Sequence, residues 1–257
     1  MLSFNATPEM YGVLVLVFAR IYTFINFLPL IGGDDVPGMV KTILCASLTP
    51  FISFPMLVQG VSFDPSAPFM LLLIKELVLG ALMSLIVSLP LRIPEIIGDV
   101  IDNQRGAAVT DSFNPTSGEQ SSMLGQLLSL TIMTYFLTEG GITTLVNLLG
   151  NSFTLAPIGD VELFHFGNKN LMDVMIELFT NYLKLFAILA LPVMVAMFMA
   201  EVALAIASRF AQSMNVFSMA QPIKAVIAIA MMIGLLPKIN SAIMEALRVT
   251  MKMFGNV

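Results

Sequence analysis

What most constrains this chain is a succession of apolar runs, each about as long as a bilayer is thick. They occupy about 10–31, 40–60, 69–90, 123–149, 182–207 and 220–237. A helix crosses a hydrocarbon core of roughly 30 Å with about 20 mostly apolar residues, and backbone groups in lipid must be paired within the segment. The sixth run is short and is expected to continue as helix toward Phe254. Little of the 257 residues is left for a water-facing domain: 57% are hydrophobic and 11% charged, where soluble domains carry about 25% charge. These runs predict an all-α membrane protein of about six hydrophobic helices joined in hairpins, forming one membrane domain over 1–257.

The same composition argues against a soluble enzyme. Lys plus Arg number 12 against 17 Asp plus Glu, for a net charge of -5, so the chain lacks the concentrated basic face that nucleic acid requires. Cys45 is the single cysteine and His165 the single histidine. An internal disulfide is therefore impossible and a zinc site lacks ligands; Cys45 reads as a small buried hydrophobe, His165 as a loop or interface residue. No His-Glu-x-x-His or Gly-x-Ser-x-Gly motif occurs, and the serines of Gly118-Glu119-Gln120-Ser121-Ser122 have no histidine base nearby in sequence. No catalytic residue, metal or cofactor is expected. The opening Met1-Leu2-Ser3-Phe4-Asn5 has no basic stretch, and the first apolar run continues to Ile31 with Arg20 inside it, unlike a cleavable signal peptide.

Several charges interrupt the apolar runs: Arg20, Lys75, Glu76, Lys184, Glu201 and Lys224. A central charge costs roughly 2.5–3.5 kcal/mol on insertion scales, so each should face protein, water or the interface. Adjacent helical residues point to different faces, so Lys75 and Glu76 are expected to find partners on other helices or other chains. One reading is a small ion- or proton-coupled transporter using Lys75, Glu76 and Glu201. Interhelical pairing or snorkelling is favoured instead, because acids are not spaced along one helix face and no inverted repeat is visible. Pro90 and Pro94 are expected to end the third helix, and Pro192 to kink the fifth. Methionine is 20 of the residues; Met194, Met197 and Met199 beside that kink read either as apolar filler or as a compliant seal. Loop charge leans only slightly toward a cytoplasmic C-terminus. Arg92 and Arg105 in the 91–122 loop stand against Lys238, Arg248 and Lys252 in the tail.

Two connections, 91–122 and 150–181, are long and polar, a length that usually means binding, covering or movement. In the first, Ile97, Val100, Ile101 and Gln104 repeat at helical spacing, which predicts a short helix across or just beyond the membrane. From Gly106 the composition turns to Gly, Ser, Thr, Asn and Pro, which favours turns. The run Gly98, Asp99, Asp102, Gln104-Arg105-Gly106, followed by Asn114-Pro115 and Ser121, resembles the type III secretion export-gate subunits called SctT, including SpaR-, YscT- and EscT-like proteins. FliR is the flagellar counterpart. Asn114 stands where that family usually has an acid. Gln221-Pro222-Ile223-Lys224, the length and the spacing of the apolar runs extend the likeness over essentially the whole chain.

This resemblance implies a non-enzymatic subunit in the bacterial inner membrane, built to pack into a helical assembly with SctR-like and SctS-like partners at the entrance of a secretion channel. A SctU-like switch protein would pack outside, and unfolded secreted proteins would pass through. The loop after the third helix would act as a plug, assigned to 104–122 with Gln104, Arg105, Gly106, Asp111, Phe113, Asn114, Pro115 and Ser121 as its residues. Arg20, Lys75, Glu76, Glu201 and Lys224 would then serve contacts between subunits, while other surfaces meet membrane lipid. A segment poor in apolar side chains can also switch between placed and displaced states at low cost, and irregular backbone at membrane depth is tolerated where it lines a passage.

Overall fold

The computed structural model describes residues 8–31, 36–58, 68–106, 122–158, 171–210 and 216–253. Among them are seven α-helices: α1 Pro8–Phe27, α2 Gly38–Val58, α3 Phe69–Arg105, α4 Met123–Thr138, α5 Gly141–Leu155, α6 Leu171–Ser208 and α7 Val216–Met253. The described residues contain no strand. Five helices (α1, α2, α3, α6 and α7) are long and apolar enough to cross a membrane. The chain is thus an all-α membrane protein, as its apolar runs predict. With 38 residues each, α6 and α7 measure about 57 Å at about 1.5 Å per residue, nearly twice the roughly 30 Å hydrocarbon core.

The chain divides into two compact units. One contains α1, α2, α3 up to Leu89, α5, α6 up to Leu178, and α7 from Leu247. There α1 packs on α2, and the core is built from Leu16, Ile21 and Phe24 with Leu79, Met83 and Phe153. The other contains α3 from Pro90, α4, α6 from Phe179 and α7 up to Ala246. Its core includes Leu128, Ile132 and Phe136 of α4 and Leu189, Val193 and Met197 of α6. Both trios recur every fourth residue, the spacing that places side chains on one helix face.

Several boundaries differ from the sequence expectation. Pro90 and Pro94 do not end the third helix; α3 runs through both to Arg105. An interior proline costs about 3 kcal/mol, and burial of Leu91, Ile93, Ile97 and Ile101 on either side of Pro94 offsets it. The amphipathic stretch around Ile97 to Gln104 is therefore the end of α3 and not a separate short helix. The run 123–149 is two helices of 16 and 15 residues, split at Gly140, whose φ of 81° belongs to the left-handed region that glycine enters without steric penalty. Helix α6 begins at Leu171, well before 182. Helix α7 does continue toward the C-terminus, to Met253. Cys45 is fully buried.

Candidate functional site at the feet of the polar loop

The two feet of the segment between α3 and α4 meet in one polar staple. Ser122 is the N-cap of α4; its Oγ accepts from the Gly125 amide at 2.8 Å and donates to Asp102 Oδ2 at 2.7 Å. The Leu124 amide donates to the same Oδ2 at 3.0 Å. Asp102 thus places a carboxylate on the N-terminal turn of α4, where unpaired amides and the helix dipole favour negative charge. Its other oxygen, Oδ1, lies 2.7 Å from Arg105 Nε. One turn before Asp102, Gly98 lies directly against Gly125, so that a Cβ on Gly98 would fall on the Gly125 backbone. Small residues let two helices approach this closely, and the staple depends on that approach.

The last turn of α3 is also held by α6 and α7. Gln104 Nε2 donates to the Met194 carbonyl at 3.0 Å, and Lys224 Nζ donates to the Gln104 carbonyl at 3.2 Å. Lys224 Nζ also pairs with Glu201 Oε2 at 2.9 Å. Gly106 closes α3 with φ of 85°, its amide donating to the Asn103 carbonyl. A Cβ there would meet Gln221 Nε2 at 3.0 Å. Gln221 and Lys224 therefore stand at the end of α3, more than a hundred residues away in sequence.

A second cluster lies in the other unit. Arg20, fully buried, donates from Nε to Glu76 Oε2 at 2.5 Å, from Nη1 to Ser152 Oγ at 3.1 Å and from Nη2 to the Ala156 carbonyl at 2.8 Å. Its guanidinium lies 4.0 Å from the centre of the Phe153 ring. Lys75 Nζ is 3.0 Å from Glu76 Oε1 and donates to the carbonyls of Pro157 and Ile158. Two cations thus share one carboxylate, and both also donate to carbonyls just beyond the C-terminus of α5, where the helix dipole favours cations. A close approach of α1 and α3 permits this: a Cβ at Gly80 would fall on Thr23 Oγ1 and the Arg20 carbonyl.

Of the residues expected in the plug, Gln104, Arg105 and Gly106 are placed at the foot of the loop as described. Asp111, Phe113, Asn114, Pro115 and Ser121 lie outside the described residues, as does His165. The expectation that adjacency keeps Lys75 and Glu76 apart is corrected: the long lysine side chain bends back to its neighbour, and both meet Arg20 of α1 at the same carboxylate. Partners for Arg20, Lys75, Glu76, Glu201 and Lys224 are present within the chain, while Lys184 is exposed on α6. Sequence reasoning passed over Ser122, although a serine directly before an apolar run is an N-cap signal. Ser152 and the carbonyls after α5 carried no such signal.

Five spanning-length helices, with Arg20, Glu76, Glu201 and Lys224 paired inside the chain, define a multi-pass membrane protein. Residues 11–249 match the family described as Bacterial export proteins, family 1, and the chain belongs to that family. It is similar to the "Yop proteins translocation protein T" of Yersinia pestis, 39% identical over 159 residues, or 62% of this chain. That match spans 60% of the Yersinia protein's own length. Similarity also extends to the "Surface presentation of antigens protein SpaR" of Shigella flexneri, 30% identical over 83% of this chain and 80% of the relative. The "Flagellar biosynthetic protein FliR" of Bacillus subtilis is 25% identical over 98% of this chain and 97% of the relative. The likeness to SctT and FliR proteins is thereby established, and with it a place in the bacterial inner membrane.

Proposed function

We propose that this chain is a structural, non-enzymatic subunit of a type III secretion or flagellar export apparatus. It forms the inner-membrane entrance of the channel with SctR-like and SctS-like subunits, beside a SctU-like switch protein, and unfolded secreted proteins pass through. The segment between Gln104 and Ser122 is its plug. The observation supporting this most directly is the construction of the loop's feet. Asp102 and Ser122 hold the two ends together, and Gln221 and Lys224, from the second stretch of family likeness, stand against the end of α3. A plug needs such a fixed base, since a segment with few apolar side chains has little else to hold it in place. The pairing of Arg20 with Glu76 and of Lys224 with Glu201 favours this structural role over ion coupling.

A tagged copy drawn from its native membrane in mild detergent tests the reading. A large particle with two or more other small membrane proteins is expected; a monomer or homodimer that moves a solute overturns it. Deleting Thr110 to Thr116 should leave that particle intact and make membranes leaky to small solutes, and tight membranes would refute the plug.

A further inference from the structure

Gln104 contacts two helices far away in sequence and still has one hydrogen-bonding atom unused. Its side-chain amide holds the Met194 carbonyl, two residues beyond Pro192 of α6, and its own carbonyl receives Lys224 of α7. That carbonyl is among the last four of α3, which have no donor within the helix; a cation is the partner the helix dipole favours there. Glu201 orients the ammonium from the other side, its side chain 51% exposed against 10% for Lys224. Gln104 Oε1, by contrast, is buried, and no donor among the described residues reaches it. Turning the amide over would set that oxygen against the Met194 carbonyl and lose the one good bond it makes. A buried acceptor left empty is costly and uncommon in a native interior. This side chain is therefore held in place by its neighbours, and it gains an acceptor's partners once released.

We propose that Gln104 and Lys224 form a latch that binds the last turn of α3 to α6 and α7 and sets the point from which the polar loop departs. Its purpose rests on the plug reading; its geometry does not. Glu201 is the outer end of the latch and the only one of its three side chains that lies largely at the surface. Opening it frees the end of α3 from α6 and α7 while the Asp102–Ser122 staple still joins α3 to the start of α4. Gln104 and Lys224 are positioning residues, since neither is itself in the loop's interior.

The test uses the assembled complex in mild detergent, in a Cys45→Ala background, with spin labels at Asn103→Cys on the last turn of α3 and Val226→Cys on α7. Both positions are exposed. Pulsed electron paramagnetic resonance should give one narrow distance population. Lys224→Met should replace it with a broad or longer one, Lys224→Arg should restore it, and Gln104→Leu, which alters no charge, should broaden it as Lys224→Met does. An unchanged distribution in either Lys224→Met or Gln104→Leu overturns the latch, as does broadening that Lys224→Arg does not reverse. Should Lys224→Met fail to assemble, Gln104→Leu decides alone: broadening supports the latch and a narrow population overturns it. Because the readout is a distance and not a leak, tight membranes after loop deletion would overturn the plug and leave this result standing.

Discussion

Replacing Glu76 by glutamine keeps the shape of the side chain and removes the negative charge that Arg20 and Lys75 share. Both oxygens are engaged, Oε2 by Arg20 Nε at 2.5 Å and Oε1 by Lys75 Nζ at 3.0 Å, and the side chain has no exposure. Breaking a buried pair on one side costs on the order of 3–5 kcal/mol, because a charge is left uncompensated. Here Ser152 and the carbonyls of Ala156, Pro157 and Ile158 continue to serve the two cations, which places the expectation at the lower end, about 3 kcal/mol. For a protein of this size that is a fall in Tm of about 6–12 °C. Thermal unfolding of the detergent-solubilised complex, followed by loss of the intact particle on gel filtration, measures it. Arg20→Met combined with Glu76→Gln should cost less than the two single changes added, since the strongest unpaired charge is then gone. A shift below about 2 °C for Glu76→Gln, or strict additivity in the double variant, would refute the account of a charge cluster that depends on this carboxylate.

Gly98→Val should abolish assembly or lower its yield severely, because the new side chain must displace the Gly125 backbone. Gly150→Ala, where a Cβ meets nothing within 4 Å, should leave the yield unchanged, and equal yields of the two would show that α3 and α4 are not in backbone contact. Asp102→Ala removes an acceptor serving Ser122 Oγ and the Leu124 amide and should cost about 2 kcal/mol or more locally. Hydrogen exchange at Leu124 should then quicken by about 30-fold while Phe136, buried further along α4, is unaffected.

The membrane character, five of the six long apolar stretches and the family to which the chain belongs were legible in the residues. The boundaries were not, and the reasons are specific. Proline at 90 and 94 is a strong local signal for an end, but the apolar face on both sides of Pro94 is buried by tertiary packing that no local pattern reports. Glu139-Gly140-Gly141 was passed over because the apolar content resumes at once, although a left-handed glycine is enough to separate α4 from α5. Charge pairing was legible only as a requirement. That Glu76 must find cations follows from its place in an apolar run; that one is its own neighbour and the other is Arg20 depends on the contact at Gly80. The foot of the loop joins residues 102, 104, 122, 194 and 224, separations that spacing rules for single helices do not cover.

The length of α6 bears on how such a protein survives in the cell. Its apolar span, Asp173–Ser208, has 36 residues and a contour of about 54 Å; even tilted by about 40°, the upper end of the usual range, it rises about 41 Å through a core of roughly 30 Å. Leu183, Leu191, Phe198 and Ile206 are exposed along it. Some of this greasy surface must stand clear of lipid, where only protein can cover it. A copy made in excess of its neighbours therefore displays in water the kind of patch that drives aggregation and invites proteolysis, so its abundance is set by assembly and not by synthesis alone.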